Sequence, residues 1–205
     1  MRRLHLLAIG SAAVVGVAVG IVLHNTFAAP GAQAKPALPA LYGQATWKPG
    51  AVPAPLFRLR DQHGRRVSLA SFRGRSVVVA FMDSLCTAEC PLQAAQLAAA
   101  LRPLPETARP QLVIVSVDVA DTPRTVAAAA RKWRLPPGFE WFLGTRAELA
   151  PVWRAYRIEV RVTKTDILHS DAFYVVDRNG DERAGFLSPF VPGLLTRDLR
   201  TLAKV

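Results

Sequence analysis

The sequence predicts an α/β protein built on a layered sheet, and three observations carry that expectation. The runs Val77-Val78-Val79-Ala80-Phe81 and Leu112-Val113-Ile114-Val115 are short, continuous and rich in β-branched residues, the form of strands buried on both faces. Each is followed by a segment with helical spacing. Near the C-terminus, two apolar stretches flank Asp177-Arg178-Asn179-Gly180, the pattern of a hairpin. With 205 residues, 51% hydrophobic and 20% charged, the chain has enough apolar material for one domain plus a tail, and is not a disordered polyelectrolyte. Gly 13 and Pro 16 without a triplet period exclude a collagen-like chain, and Cys 2 excludes a disulfide-rich scaffold or a four-thiolate zinc site.

The elements follow in order. Met1-Arg2-Arg3 precedes Leu4 to Leu23, whose only strongly polar members are His5 and Ser11. Twenty residues at helical rise span about 30 Å, the thickness of a bilayer core. The arginine pair holds the leading end in the cytoplasm, so the body is expected to be exported. Residues 1–24 are therefore expected to be a transmembrane anchor, or a signal segment cleaved after the small-x-small form Ala32-Gln33-Ala34. Residues 25–55 carry Pro30, Pro36, Pro39, Pro49, Pro53 and Pro55 and are expected to be a semi-extended spacer.

Residues 56–205 form the predicted domain. Strands are expected at Leu56 to Arg60, Ser76 to Met82, Gln111 to Asp118 and Glu140 to Leu143, and a hairpin at Ala172 to Val176 and Glu182 to Leu187. Helices are expected at Pro91 to Leu101, from Thr122-Pro123 to about Arg134, from the capping box Thr145-Arg146-Ala147-Glu148 onward, and from Gly193 onward. Pro151 is expected to bend or restart the third of these. This order matches a thioredoxin-like fold with an N-terminal extension.

The formal charge of +11 favours anionic surfaces. The basic residues are scattered, with no stripe interleaved with aromatics, so nucleic acid is not an expected partner. The chemistry concentrates at Cys86-Thr87-Ala88-Glu89-Cys90-Pro91, between the central buried strand and a helix. Two cysteines four apart on one helical turn share a face, within reach of a disulfide or of one metal ion. A helix N-terminus favours thiolate, the form that attacks a disulfide and ligates a soft metal. His169 lies 169 − 86 = 83 residues later, before the strand Ala172 to Val176. His63 reads as a solvated turn residue. Cys86, Cys90 and His169 together offer two thiolates and an imidazole, a set that suits copper, Cu(I) above all. Asp118 and Asp121 have the look of a hard-metal or acid/base pair, but read more simply as part of a helix cap formed by Asp121 or Thr122.

Three segments resemble the Sco/SenC family, in order. They are Phe81-Met82-Asp83-Ser84-Leu85-Cys86-Thr87-Ala88-Glu89-Cys90-Pro91, Ser116 to Pro123, and His169-Ser170 followed by Phe173 to Gly180. Thr87 and Ala88 stand where that family usually has Pro and often Asp. The resemblance implies a membrane-tethered, thioredoxin-fold copper protein facing the periplasm or another extracytoplasmic space. It further implies a metallochaperone rather than an enzyme, with Cys86, Cys90 and His169 as copper ligands. The partner would be the copper-site subunit of cytochrome c oxidase or another copper protein. A thiol–disulfide oxidoreductase, with Cys86 attacking and Cys90 resolving, uses the same pair without His169.

Overall fold

The computed structural model describes residues 40–204. The apolar run Leu4 to Leu23 and the first part of the spacer lie outside the described residues. The strands are β1 Ala45–Thr46, β2 Arg58–Asp61, β3 Arg66–Ser68, β4 Val77–Met82, β5 Gln111–Ser116, β6 Glu140–Leu143, β7 Val160–Val162, β8 Ile167–His169, β9 Ala172–Val176 and β10 Glu182–Leu187. The α-helices are α1 Glu89–Leu101, α2 Pro123–Trp133, α3 Arg146–Ala155 and α4 Pro192–Leu202. Among the described residues, no helix is long and apolar enough to cross a membrane.

Eight strands form one sheet in the order β1-β10-β9-β4-β5-β6-β2-β3. β4, β5 and β6 run parallel, joined by helical crossovers, while β9, β10 and β2 join antiparallel. This mixed α/β sheet has thioredoxin-like architecture.

Every residue of β4 and β5 is buried, as their composition predicts. Side chains alternate between two cores. Val78, Ala80 and Met82 pack with Cys90, Leu97, Leu195 and Leu199 from α1 and α4. Val77, Val79 and Phe81 pack with Leu149, Trp153 and Tyr156 from α3 and its end. Trp133, Trp141 and Trp153 are all core residues.

The capping signals are realised. Thr122 caps α2 and accepts from the Thr125 N–H, while Thr145 and Glu148 form the reciprocal box on α3. Pro151 does not restart α3, which runs through it as one helix. Pro151 is on the exposed side, and the burial of Leu149, Val152 and Trp153 holds the helix across the missing N–H.

Two stretches differ from expectation. Residues 40–55, read as spacer, belong to the compact unit that starts at Ala40. Ala45 and Thr46 pair with Gly185 and Ala184, Pro53 bridges Asp181, and Trp47 N–H donates to the Arg183 carbonyl. Gln44 extends this pairing with its side-chain amide, donating to the Leu187 carbonyl and accepting the Leu187 N–H. The segment is fastened by Asp198, which is fully buried and accepts from the Tyr42 N–H at 2.8 Å and the Gly43 N–H at 3.1 Å. The second addition is the β7–β8 hairpin, a separate two-stranded sheet that delivers His169.

Replacing Asp198 strands two backbone donors. Asp198→Ala is expected to lower unfolding stability by about 2 kcal/mol, the usual cost of unpaired buried donors. It should also open the chain to proteolysis near Tyr42. Asp198→Asn keeps an acceptor and should lose less, as urea midpoints and limited digestion will show.

Candidate thiol and histidine site

The site forms where β4 ends. Strand burial continues past Met82 into two polar residues, Asp83 and Ser84, so the chain must turn there with its polar groups satisfied internally. Asp83 does this locally. Its carboxylate accepts the Leu85 N–H at 2.7 Å and its carbonyl the Cys86 N–H at 3.2 Å. That tight turn keeps Cys86 in the loop ahead of α1, rather than on one helical turn with Cys90 as the spacing suggests.

Cys90 is the second residue of α1 and fully buried, whereas Cys86 is half-buried. Both are free thiols. Ala88, at the N-cap, offers no side-chain acceptor; instead Cys86 Sγ receives the Cys90 N–H at 3.4 Å. The Asp83 N–H points at Cys90 Sγ from 3.5 Å. The expectation that the helix terminus favours thiolate fails for Cys90. Burial pushes its thiol well above the ordinary cysteine range, against the opposing pull of the Asp83 N–H and with the help of neighbouring Cys86.

His169 ends β8 and closes on the same point from the other side. Its Nε2 lies 3.8 Å from Cys90 Sγ across 79 positions of sequence. Its Nδ1 is 3.1 Å from the Ser170 carbonyl, which can only accept. In a neutral ring this contact favours the tautomer with the proton on Nδ1, which turns the Nε2 lone pair toward the thiol. Asp171 Oδ1 stands 3.7 Å from Nδ1 and accepts from Gln93 Nε2 at 2.5 Å. Gln93 is fully buried on α1, the helix that bears Cys90, and so ties the histidine loop to the cysteine helix. His63 is exposed in the β2–β3 turn, away from the thiols in the fold.

Asp83, Asp118 and Asp121 bring ligating oxygens within 4.8 Å of one another. Their hydrogen bonds give them a structural task. Thr122 performs the capping; Asp121 is buried beneath the site loop. Asp121 accepts the Ser84 N–H at 3.0 Å, the Ser84 hydroxyl, and the Ser116 hydroxyl at 2.6 Å. Ser116 in turn accepts the Trp141 indole N–H at 2.7 Å, which links core to loop. Burial raises the Asp121 carboxyl to about 6, against these hydrogen bonds and with added repulsion from Asp83. Asp83 is raised for the same first reason, with Asp118 adding to it. Asp83, Ser84, Gln93 and Asp171 have no role in the sequence reading. Their partners are distant in sequence, and only the polar Asp83-Ser84 after an apolar strand hints at them.

A half-buried thiol in a loop, a buried thiol in the first turn of a helix and an imidazole at the end of a short strand, gathered at the carboxyl end of a thioredoxin-like sheet, define a thioredoxin-fold thiol protein with soft-metal donors. Within that class, the chain belongs to the SCO1/SenC family, whose model matches residues 48–204. The copper-bound structure of ScoI from Bradyrhizobium japonicum is 26% identical, with a TM-score of 0.62, and the match covers 74% of this chain and 99% of that one. A SCO1/SenC family lipoprotein from Bacillus anthracis, 23% identical, superposes with a TM-score of 0.68 over 78% of this chain and 99% of its own. A chloroplastic peroxiredoxin Q from Gentiana triflora is 30% identical over 143 residues, which are 70% of this chain and 60% of that protein.

The raised Asp121 carboxyl has a signed consequence. Its contribution to stability is fully present below about 3.8 and is lost as pH rises through about 6. The shift corresponds to roughly 3 kcal/mol. The parent is therefore expected to gain stability relative to Asp121→Asn between pH 7 and pH 4, by an amount of that order. Urea unfolding of both at the two pH values checks it.

Proposed function

We propose that this chain is an exported, membrane-tethered copper metallochaperone that assists assembly of the copper site of cytochrome c oxidase, holding its cargo on Cys86, Cys90 and His169. The observation that carries this reading is the approach of His169 Nε2 to Cys90 Sγ, 3.8 Å apart, in a chain of the SCO1/SenC family. The copper-bound relative from Bradyrhizobium japonicum supports the choice of metal. So does the donor chemistry, since two sulfurs and an imidazole favour Cu(I) over hard cations. A delivery protein must hold its ion and also release it. Three ligands leave room for an incoming donor, and half-buried Cys86 is the member an acceptor reaches most easily. The run Leu4 to Leu23 supports a tether with the domain outside the cytoplasm.

One contact favours a second reading, the thiol–disulfide oxidoreductase. The Cys90 N–H aimed at Cys86 Sγ is the polarity an attacking sulfur uses. Cys86 would attack a partner disulfide and expel one thiolate. Cys90 would then displace the second, leaving a Cys86–Cys90 disulfide and a reduced partner.

His169 separates the two. His169→Ala is expected to weaken Cu(I) binding by at least about tenfold, as loss of metal-shell groups commonly does. The exchange of Cys86 and Cys90 with a small disulfide should be almost unchanged, because it needs only thiolate. Chelator competition and a thiol-exchange assay on one preparation give both values, with the oxidised chain as the non-loading control. Unchanged copper affinity would favour the oxidoreductase.

A further inference from the structure

A cavity of about 650 Å3 opens between α3 and the β7–β8 hairpin, and His169 is part of its lining. Trp153 and Leu168 give it apolar surface, and Arg146, Arg154 and Arg161 give it three guanidiniums against one carboxylate, Glu159. The three arginines are exposed, and among the described residues none is engaged in an ion pair. Leu168 is 44% exposed, an apolar side chain left in water beside the metal-site histidine.

We propose that this cavity is a docking groove for an acidic polypeptide segment with interspersed apolar residues, belonging to the protein that receives the cargo. The inference deepens the metallochaperone reading and rests on it for the partner's role. The charge spacing argues for a polypeptide. Arg146 and Arg154 lie eight positions apart on α3, or about 12 Å along the axis. One small anion cannot bridge that distance, whereas an extended chain covers it in about four residues. The apolar lining between the arginines matches a segment in which carboxylates flank a leucine-like side chain. A bilayer surface is flat and would meet the rim arginines without entering the cleft between α3 and the β7–β8 hairpin. Complementarity of this kind speeds encounter and sets orientation, and the net charge of +11 discourages basic partners. Because His169 lines the same space, a segment seated here lies beside the metal ligands, placed to offer a donor of its own.

The test uses the full chain in non-ionic detergent and a short fluorescent peptide of glutamate and leucine. Anisotropy should report binding that weakens with added salt, and a lysine–leucine peptide should not bind. The double variant Arg154→Glu/Arg161→Glu should weaken binding at least about tenfold, whereas Arg102→Glu, on another face at the end of α1, should leave it unchanged. The His169 ring resonances should shift on titration with the acidic peptide. Equal binding by the double variant, displacement of the peptide by millimolar inorganic phosphate, or tighter binding of a DNA oligonucleotide through the same arginines would each overturn the groove. The two readings fail separately. Unchanged copper affinity in His169→Ala removes the metallochaperone while the arginine result still stands for the groove. A normal copper site with no arginine effect removes the groove alone.

Discussion

The burial of β4 on both faces governs the rest of the structure. A strand that is apolar along its whole length can end only where the chain finds internal partners for its next polar groups. Here that point is Asp83-Ser84, still beneath the surface. The solution is a chain of hydrogen bonds from Trp141 through Ser116 to Asp121 and on to Ser84. It crosses from β6 to β5 to the head of α2 and back to the loop after β4, so the thiol-bearing turn is built on the sheet's own packing. The cost is a carboxyl forced into low-dielectric surroundings, and its raised pKa records that cost.

The site itself is a meeting of two anchored pieces. Cys90 is fixed by α1 and His169 by the small β7–β8 sheet, and Gln93 with Asp171 joins them. Only Cys86 sits on a short loop with partial exposure. Two of the three side chains are thus held by regular structure and the third by a turn, which leaves the Cys86 thiol the least constrained of the three.

What the sequence makes legible is what depends on neighbours in sequence. The buried runs of β4 and β5, the Thr122 and Thr145 caps and the Asp177–Gly180 turn are all local signals, and the elements begin or end there to within a residue or two. Cys86, Cys90 and His169 are likewise singled out by residue type and position, and the fold brings them together. The rest depends on distant partners. Ala45–Thr46 is a strand only because β10 accepts it, and its Pro-rich flanks resemble a spacer until Asp198 is placed. The β7–β8 strands are three residues each and largely exposed, too short for a period to emerge. Asp121 reads as a cap because its true contacts with Ser84 are 37 positions away. Cys90 reads as an activated thiol because sequence displays the helix start but not the depth of the residue behind it.

The paired amide of Gln44 has a bearing on how copies of the chain treat one another. β10 ends the sheet except for the two residues of β1, and an open strand of this kind invites a foreign strand to zip alongside. Gln44 occupies the next rung, filling both the donor and the acceptor of Leu187 with a side chain that has no backbone beyond it to propagate the ladder. At the opposite margin β3 and its neighbour present Arg58, Arg60 and Arg66, whose like charges repel a second copy brought edge to edge. One border is closed by mimicry and the other carries like charges, and both features disfavour edge-to-edge pairing of copies.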